Sequence, residues 1–393
     1  MRKLVLILTA TLLATPALGQ VEVVPLAAPD YFSQGLRDTG LPADLWAGTS
    51  PALAREVIPS IGRKPLTPAA RDLAWRTLAT AAVGPDGAGR EPEVAAARIQ
   101  ALLALGRPRE AWAAADRAAS PSANPALAEA VAETALIVGE DDRACRVADA
   151  LTVGRGELYW LRLRAYCQAI VGDRDAAQLT LTLASEKQRD PTVSRLIGAV
   201  IVGVGDPGAA SLRNGLEYSL SRRLALDVAA ARGAPLAVAA MLAESSAVAA
   251  EPSPAPGLAV RFARPEGRDA EFDALLLQGA ASDPKVAPRY QAAALIAVAL
   301  GASPTPEQRA TLSRFEVLPG VVPPGRLAAL DLAASAGARG EVALQAVAVV
   351  GDADGKPLRA ADYAAIVSAL RRVGLTEAAI AFAEEAFAAL QLG

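Results

Sequence analysis

Histidine is absent from all 393 residues. That removes Ser-His and Cys-His nucleophile systems and every histidine metal site. Cysteine occurs twice, too few for a four-thiolate zinc centre. Lysine occurs only at positions 3, 64, 187, 285 and 356, so the positive charge rests on arginine. Lys and Arg together number 39 against 42 Asp and Glu, and a formal charge of −3 is a poor match for nucleic acid or anionic lipid. Aromatics make up only 4%. Alanine takes their place, which favours helices packed through small side chains. Beyond the first residues no apolar run reaches membrane length; Ala292–Leu300 is among the longest and stops at Gly301.

What is present is a repeat. Gly106, Gly139, Gly172 and Gly205 are spaced by 33 residues. Each follows an aliphatic residue (Leu105, Val138, Val171, Val204) and precedes an alanine by five (Ala111, Ala144, Ala177, Ala210). A period of this length marks stacked helix–turn–helix units. Glycine ends helix A in the left-handed conformation at no steric cost. Asp141, Asp142 and Asp173 fall in or near the first turn of helix B, where negative charge suits the helix dipole. Asn124-Pro125 and Asp190-Pro191 read as an N-cap plus first helical residue opening the A helices.

The segment LGRPREA, Leu105–Ala111, resembles the turn between helices A and B of the tetratricopeptide (TPR) family, and Ala118 matches its later small position. The period here is 33, where the family has 34. The whole chain also resembles TPR-like secreted proteins of GC-rich Gram-negative bacteria. The resemblance implies an all-α fold, an α-solenoid of antiparallel hairpins with degenerate helical repeats at the C-terminus. The final stretch from Val373 repeats the glycine-plus-five device at Gly374 and Ala379.

Residues 1–19 read as a secretory signal. Arg2-Lys3 is the positive start, Leu4–Leu13 the apolar core and Ala17-Leu18-Gly19 the cleavage site. Cleavage before Gln20 predicts a periplasmic protein with no membrane span. Residues 20–90 read as an arm followed by helices opened at Ser50-Pro51 and Thr67-Pro68. Residues 91–250 are the TPR-like repeats. Residues 251–268 form a linker starting with EPSPAPG, and 269–393 a C-terminal helical region in which Thr305–Gln308 is a capping box.

Secretion makes the two cysteines a natural disulfide pair. Cys145 lies early in helix B of the second unit, Cys167 late in helix A of the third. They are equidistant from residue 156, in the loop Gly154-Arg155-Gly156 where the chain reverses. Residues equidistant from a reversal lie opposite each other.

Three stretches invite a chemical reading. Gly203–Gly208 (GVGDPG) fits a dinucleotide loop, with Asp227 as the ribose acid, but the motif needs a strand before it and helical hairpins precede it here. Gly351–Lys356 (GDADGK) lacks the Ser or Thr of a phosphate loop, and Tyr363 stands where a calcium loop needs glutamate, so it reads as a solvated turn. Glu140-Asp141-Asp142 and Glu384-Glu385 read as a helix first turn and a solvated helix face. Tyr159, Trp160 and Tyr166 could line a ligand groove, against the commoner fate of aromatics at helical spacing, which is the core.

The expectation is a non-catalytic periplasmic scaffold or adaptor that binds another envelope protein or peptide through a helical-repeat groove. No cofactor, metal or catalytic residue is expected. The alternative is a cell-wall (peptidoglycan) enzyme or its helical accessory domain.

Overall fold

The computed structural model describes residues 30–118, 121–203, 206–245, 257–263, 268–281, 283 and 285–392. The signal segment 1–19, the turn at Gly205 and the linker residues 251–256 lie outside them. Among the described residues there are nineteen α-helices and no strand.

Helices α1 (Pro51–Val57) and α2 (Pro68–Ala79) open where the Ser-Pro and Thr-Pro pairs predict. Ser50 Oγ accepts from the Leu53 N–H, and Thr67 Oγ1 from the Ala70 N–H. The repeats follow as α3 (Pro92–Ala104) with α4 (Pro108–Ala115), α5 (Pro125–Val138) with α6 (Asp141–Ala150), and α7 (Leu158–Ile170) with α8 (Arg174–Lys187). The turns at Gly106, Gly139 and Gly172 have φ of +74°, +94° and +87°, the left-handed region that admits glycine most readily. Ala111, Ala144 and Ala177 are fully buried where the second helix of each pair crosses the first. Asn124 and Asp190 cap α5 and α9 through Leu127 and Val193.

The fourth unit departs from the repeat. Helix α9 (Pro191–Val202) ends at Gly203, φ +75°, two residues before the period expects. No helix follows over residues 206–214, so Ala210 is not on a second helix. Asp206 accepts from the Gly208 N–H at 2.7 Å, a local turn that competes with helix formation. Since Ile197–Val202 is helical, the dinucleotide reading of Gly203–Gly208 falls for want of its strand. Asp227 caps the Ala229 and Ala230 N–H groups instead.

Helices α10 (Gly215–Arg223) and α11 (Leu236–Ser245) turn back onto the repeats: α10 against α5 and α9, α11 against α3, α4 and α5. The rest of the chain is α12 (Leu258–Ala263), α13 (Arg268–Gly279), α14 (Ala287–Ala299), α15 (Pro306–Leu312), α16 (Pro324–Ser335), α17 (Arg339–Asp352), α18 (Ala360–Arg372) and α19 (Thr376–Ala389). Here α13 packs on α14, α16 on α17 and α18 on α19, and α18 lies against both α14 and α16. The expected capping box is formed by Thr305 and Gln308.

The N-terminal helices join these two sets. Helix α2 packs against α17 and α19 on one side and α3 on the other. Backbone ends are tied across the junction: the Ser50 N–H donates to Glu341, the Ala69 N–H to Glu385, and the Gly340 N–H to the Leu45 carbonyl. Glu385 also accepts from the Tyr363 hydroxyl at 2.8 Å, and Glu384 from the Val260 N–H at 3.2 Å. Glu384-Glu385 is thus a pair of half-buried helix caps rather than a solvated face. Asp352 of the GDADGK turn binds Lys64 at 3.2 Å and Arg326 at 2.9 Å, which gives that stretch a structural task. Nor is the described end of the arm loose. Phe32 is buried, and Leu36 pairs with the backbone of Ala79 and Ala81.

Cys145 on α6 and Cys167 on α7 meet with sulfurs 2.00 Å and Cα atoms 5.5 Å apart, the pairing that the midpoint predicts. No described helix is long and apolar enough to cross a membrane.

Candidate functional site

The face of α5, α6, α7 and α9 that receives α10 carries a cluster of polar contacts between distant parts of the chain. Asn214 caps α10 by accepting from the Glu217 N–H at 2.9 Å. The Gly215 N–H, at the same helix start, donates to Glu133 of α5. A carboxylate at a helix N-terminus is favoured by the unpaired N–H groups and the dipole. Tyr159 of α7 donates its hydroxyl to the other Glu133 oxygen at 3.3 Å.

One turn along, Asp141 accepts from Tyr166 and from Ser219, each at 2.8 Å, and those two hydroxyls lie 2.9 Å apart. Arg222 approaches Asp141 at 3.5 Å, donates to the Leu136 carbonyl at 3.3 Å and lies over the Tyr218 ring. Beneath this latch is a small apolar cluster of Ile137, Leu212, Tyr218, Ala237, Val238 and Met241. A third tie runs along the edge. Buried Glu217 accepts from Arg213 at 2.8 Å; Arg213 also binds Asp190 at 2.8 Å, and Asp190 lies 3.6 Å from Arg162 of α7.

The electrostatics follow from these contacts. Burial pushes Glu133 up to about 7; the Gly215 and Tyr159 hydrogen bonds oppose the shift, and Glu129 and Glu217 add to it. Glu129 is itself raised, by burial and by Glu157. Tyr166 is raised by burial and by the Asp141 charge. Burial works against the Asp190 charge, but the Val193 N–H and Arg213 outweigh it and hold the carboxyl below its usual range.

The three aromatics that could line a groove divide. Trp160 is a core residue with its ring edge-on to Tyr159 at 5.0 Å. Tyr166 is fully buried, and Tyr159 half-buried. Their hydroxyls reach the site; helix α10 lies over it. Asp141, read from sequence as a first-turn charge, holds α10 as well. Glu133, Ser219 and Arg222 carried no sequence signal, being single polar residues whose partners lie 78 to 86 positions away in the Asp141–Ser219, Glu133–Gly215 and Leu136–Arg222 pairs.

Chemically the group is a hydrogen-bond latch. Ser219 is fully buried, out of reach of a substrate. Among the described residues no group of three His, Cys, Asp or Glu is placed to hold a metal ion. Three cavities among the described residues are small. One of about 250 Å³ lies by Gly62–Leu66 and Leu236, one of about 190 Å³ by Arg76, Arg339 and Glu377, and one of about 160 Å³ by Lys64, Arg326 and Asp352. No family model, curated protein or solved structure matches the chain.

Proposed function

We propose that the protein is a non-catalytic periplasmic scaffold or adaptor, a TPR-like α-solenoid whose repeat face takes a helical segment of another envelope protein. The observation that carries the reading is α10. The face of α5, α6, α7 and α9 already holds a helix in cis, gripped by Asp141 and Glu133 at points a helix of another chain could equally use. An incoming helix with free N-terminal N–H groups for Glu133 and a hydroxyl for Asp141 would take the place of α10. The three cavities among the described residues each lie below the roughly 300 Å³ at which ligand pockets begin.

The test is site-specific photocrosslinking in the periplasm from position 159, within the latch itself, with exposed Val153 as a control position. Adducts with an envelope protein from 159 and not from 153, competed by a synthetic peptide of residues 212–224, are expected. Absence of adducts at 159 would overturn the reading. Release of muropeptides from peptidoglycan by the purified protein would replace it with a cell-wall enzyme.

A further inference from the structure

The three helix pairs serve as one another's controls. Helices α4, α6 and α8 begin at residues 108, 141 and 174, so the 33-residue register holds in space. At two outward positions the third pair departs from the others. Leu179 and Leu183 of α8 are 64% and 45% exposed. The second pair has Arg146 and Ala150 at these places, both exposed, and the first has Ala113 and Arg117. The buried face of α8 is complete without the two leucines, in Ala177, Thr180, Leu181 and Ala184. The stack does not call for apolar residues at positions 179 and 183.

The leucines belong to a row. Asp175, Leu179, Leu183 and Lys187 follow one another at four-residue steps, and all four are exposed. Residues four apart form one ridge on a helix surface. The row is self-complementary about residue 181. Run antiparallel to its own copy, Leu179 meets Leu183, and Asp175 meets Lys187. Uncharged Gln178 and Thr182 flank the leucines, so no like charges are forced together there.

We propose that α8 is a self-association surface at which two copies of this chain pack α8 against α8 about a two-fold axis, leucines central and the Asp175–Lys187 pairs at either end. A closed two-fold contact requires a patch complementary to itself, which this row is. A 14-residue helix is about 21 Å long and covers less than a standard interface, which places the dimer among weak, transient contacts.

Sedimentation velocity on the mature protein from about 1 to 200 µM tests it, a range over which a weak dimer becomes populated. The wild type is expected to pass from monomer to dimer. Leu179→Arg with Leu183→Ala, the residues of the second pair, should weaken dimerisation at least about 100-fold, since two leucines are lost on each protomer. Its circular dichroism and melting temperature should be unchanged, which separates the effect from misfolding. Asp175→Lys alone should weaken the dimer, and Asp175→Lys with Lys187→Asp should restore it. A wild type that stays monomeric throughout, a dimer indifferent to the leucine change, or a charge exchange that fails to restore association would each overturn the proposal.

Discussion

Arg98 shows what a single buried charge does for this fold. It lies on α3, is fully buried, and donates to the carbonyls of Leu78, Tyr31, Gln34 and Thr80 at 2.6 to 3.2 Å. Burial pulls its pKa down to about 9, opposed by Asp30. Its guanidinium also covers the Phe32 ring at 4.7 Å. Arg98→Met keeps the stem but leaves four carbonyls without their donor. A loss of about 3–5 kcal/mol is expected, read as a fall in the urea midpoint. Glu133 sets a pH dependence at the same scale. Its pKa is raised from 4.5 to about 7 on folding, so the folded state holds the proton more tightly. The resulting stability is fully present below 4.5 and is lost as pH rises through about 7. Urea midpoints should be higher at pH 5 than at pH 8, and Glu133→Gln should flatten that difference. A midpoint that rises over this range, with the slope unchanged in Glu133→Gln, would contradict the assignment.

At the scale of elements the helices were largely legible. Ser50, Thr67, Asn124, Asp190 and Thr305 each cap the helix that the residue pair predicts, because a cap involves only the next three residues. The glycines at 106, 139 and 172 ended their helices for the same local reason. The fourth unit breaks the period because the Asp206–Gly208 turn and the earlier Gly203 outweigh it. The cysteines join α6 to α7 across a separation of 22 residues. Closing a loop of that length is worth about 3 kcal/mol in the chain-entropy account. Reduction should therefore lower the melting temperature, and Cys145→Ser with Cys167→Ser should melt where the reduced protein does. Oxidised and reduced samples that melt together would show the link to be idle.

At the scale of the molecule, residues before 90 and after 257 form a joint that chain order conceals. Helix α2 lies between α17 and α19 on one side and α3 on the other. Arg76–Glu377 at 3.0 Å, Arg339–Asp44 at 2.8 Å and the Ala69 N–H on Glu385 reinforce that apolar contact. A protease cut within residues 246–256 should therefore leave two fragments that co-elute under native conditions and part only in denaturant. Fragments that separate without denaturant would mean that the joint is too weak to organise the chain.

The sequence by itself determined the all-α character, the helix starts at Ser50, Thr67, Asn124, Asp190 and Thr305, the three glycine turns in register and the pairing of the cysteines. Each depends on residues within a turn of one another, or on a single chain reversal. Only the tertiary structure decided that α10 lies over the repeat face, that Glu384 and Glu385 cap distant helices, that Asp141 holds Ser219, and that the first helices pack on the last. Those contacts join positions 78 to 316 residues apart, as in Asp141–Ser219 and Ala69–Glu385. A carboxylate destined to cap a far helix has the same local surroundings as one that faces water, so its role is set only when packing removes the water around it.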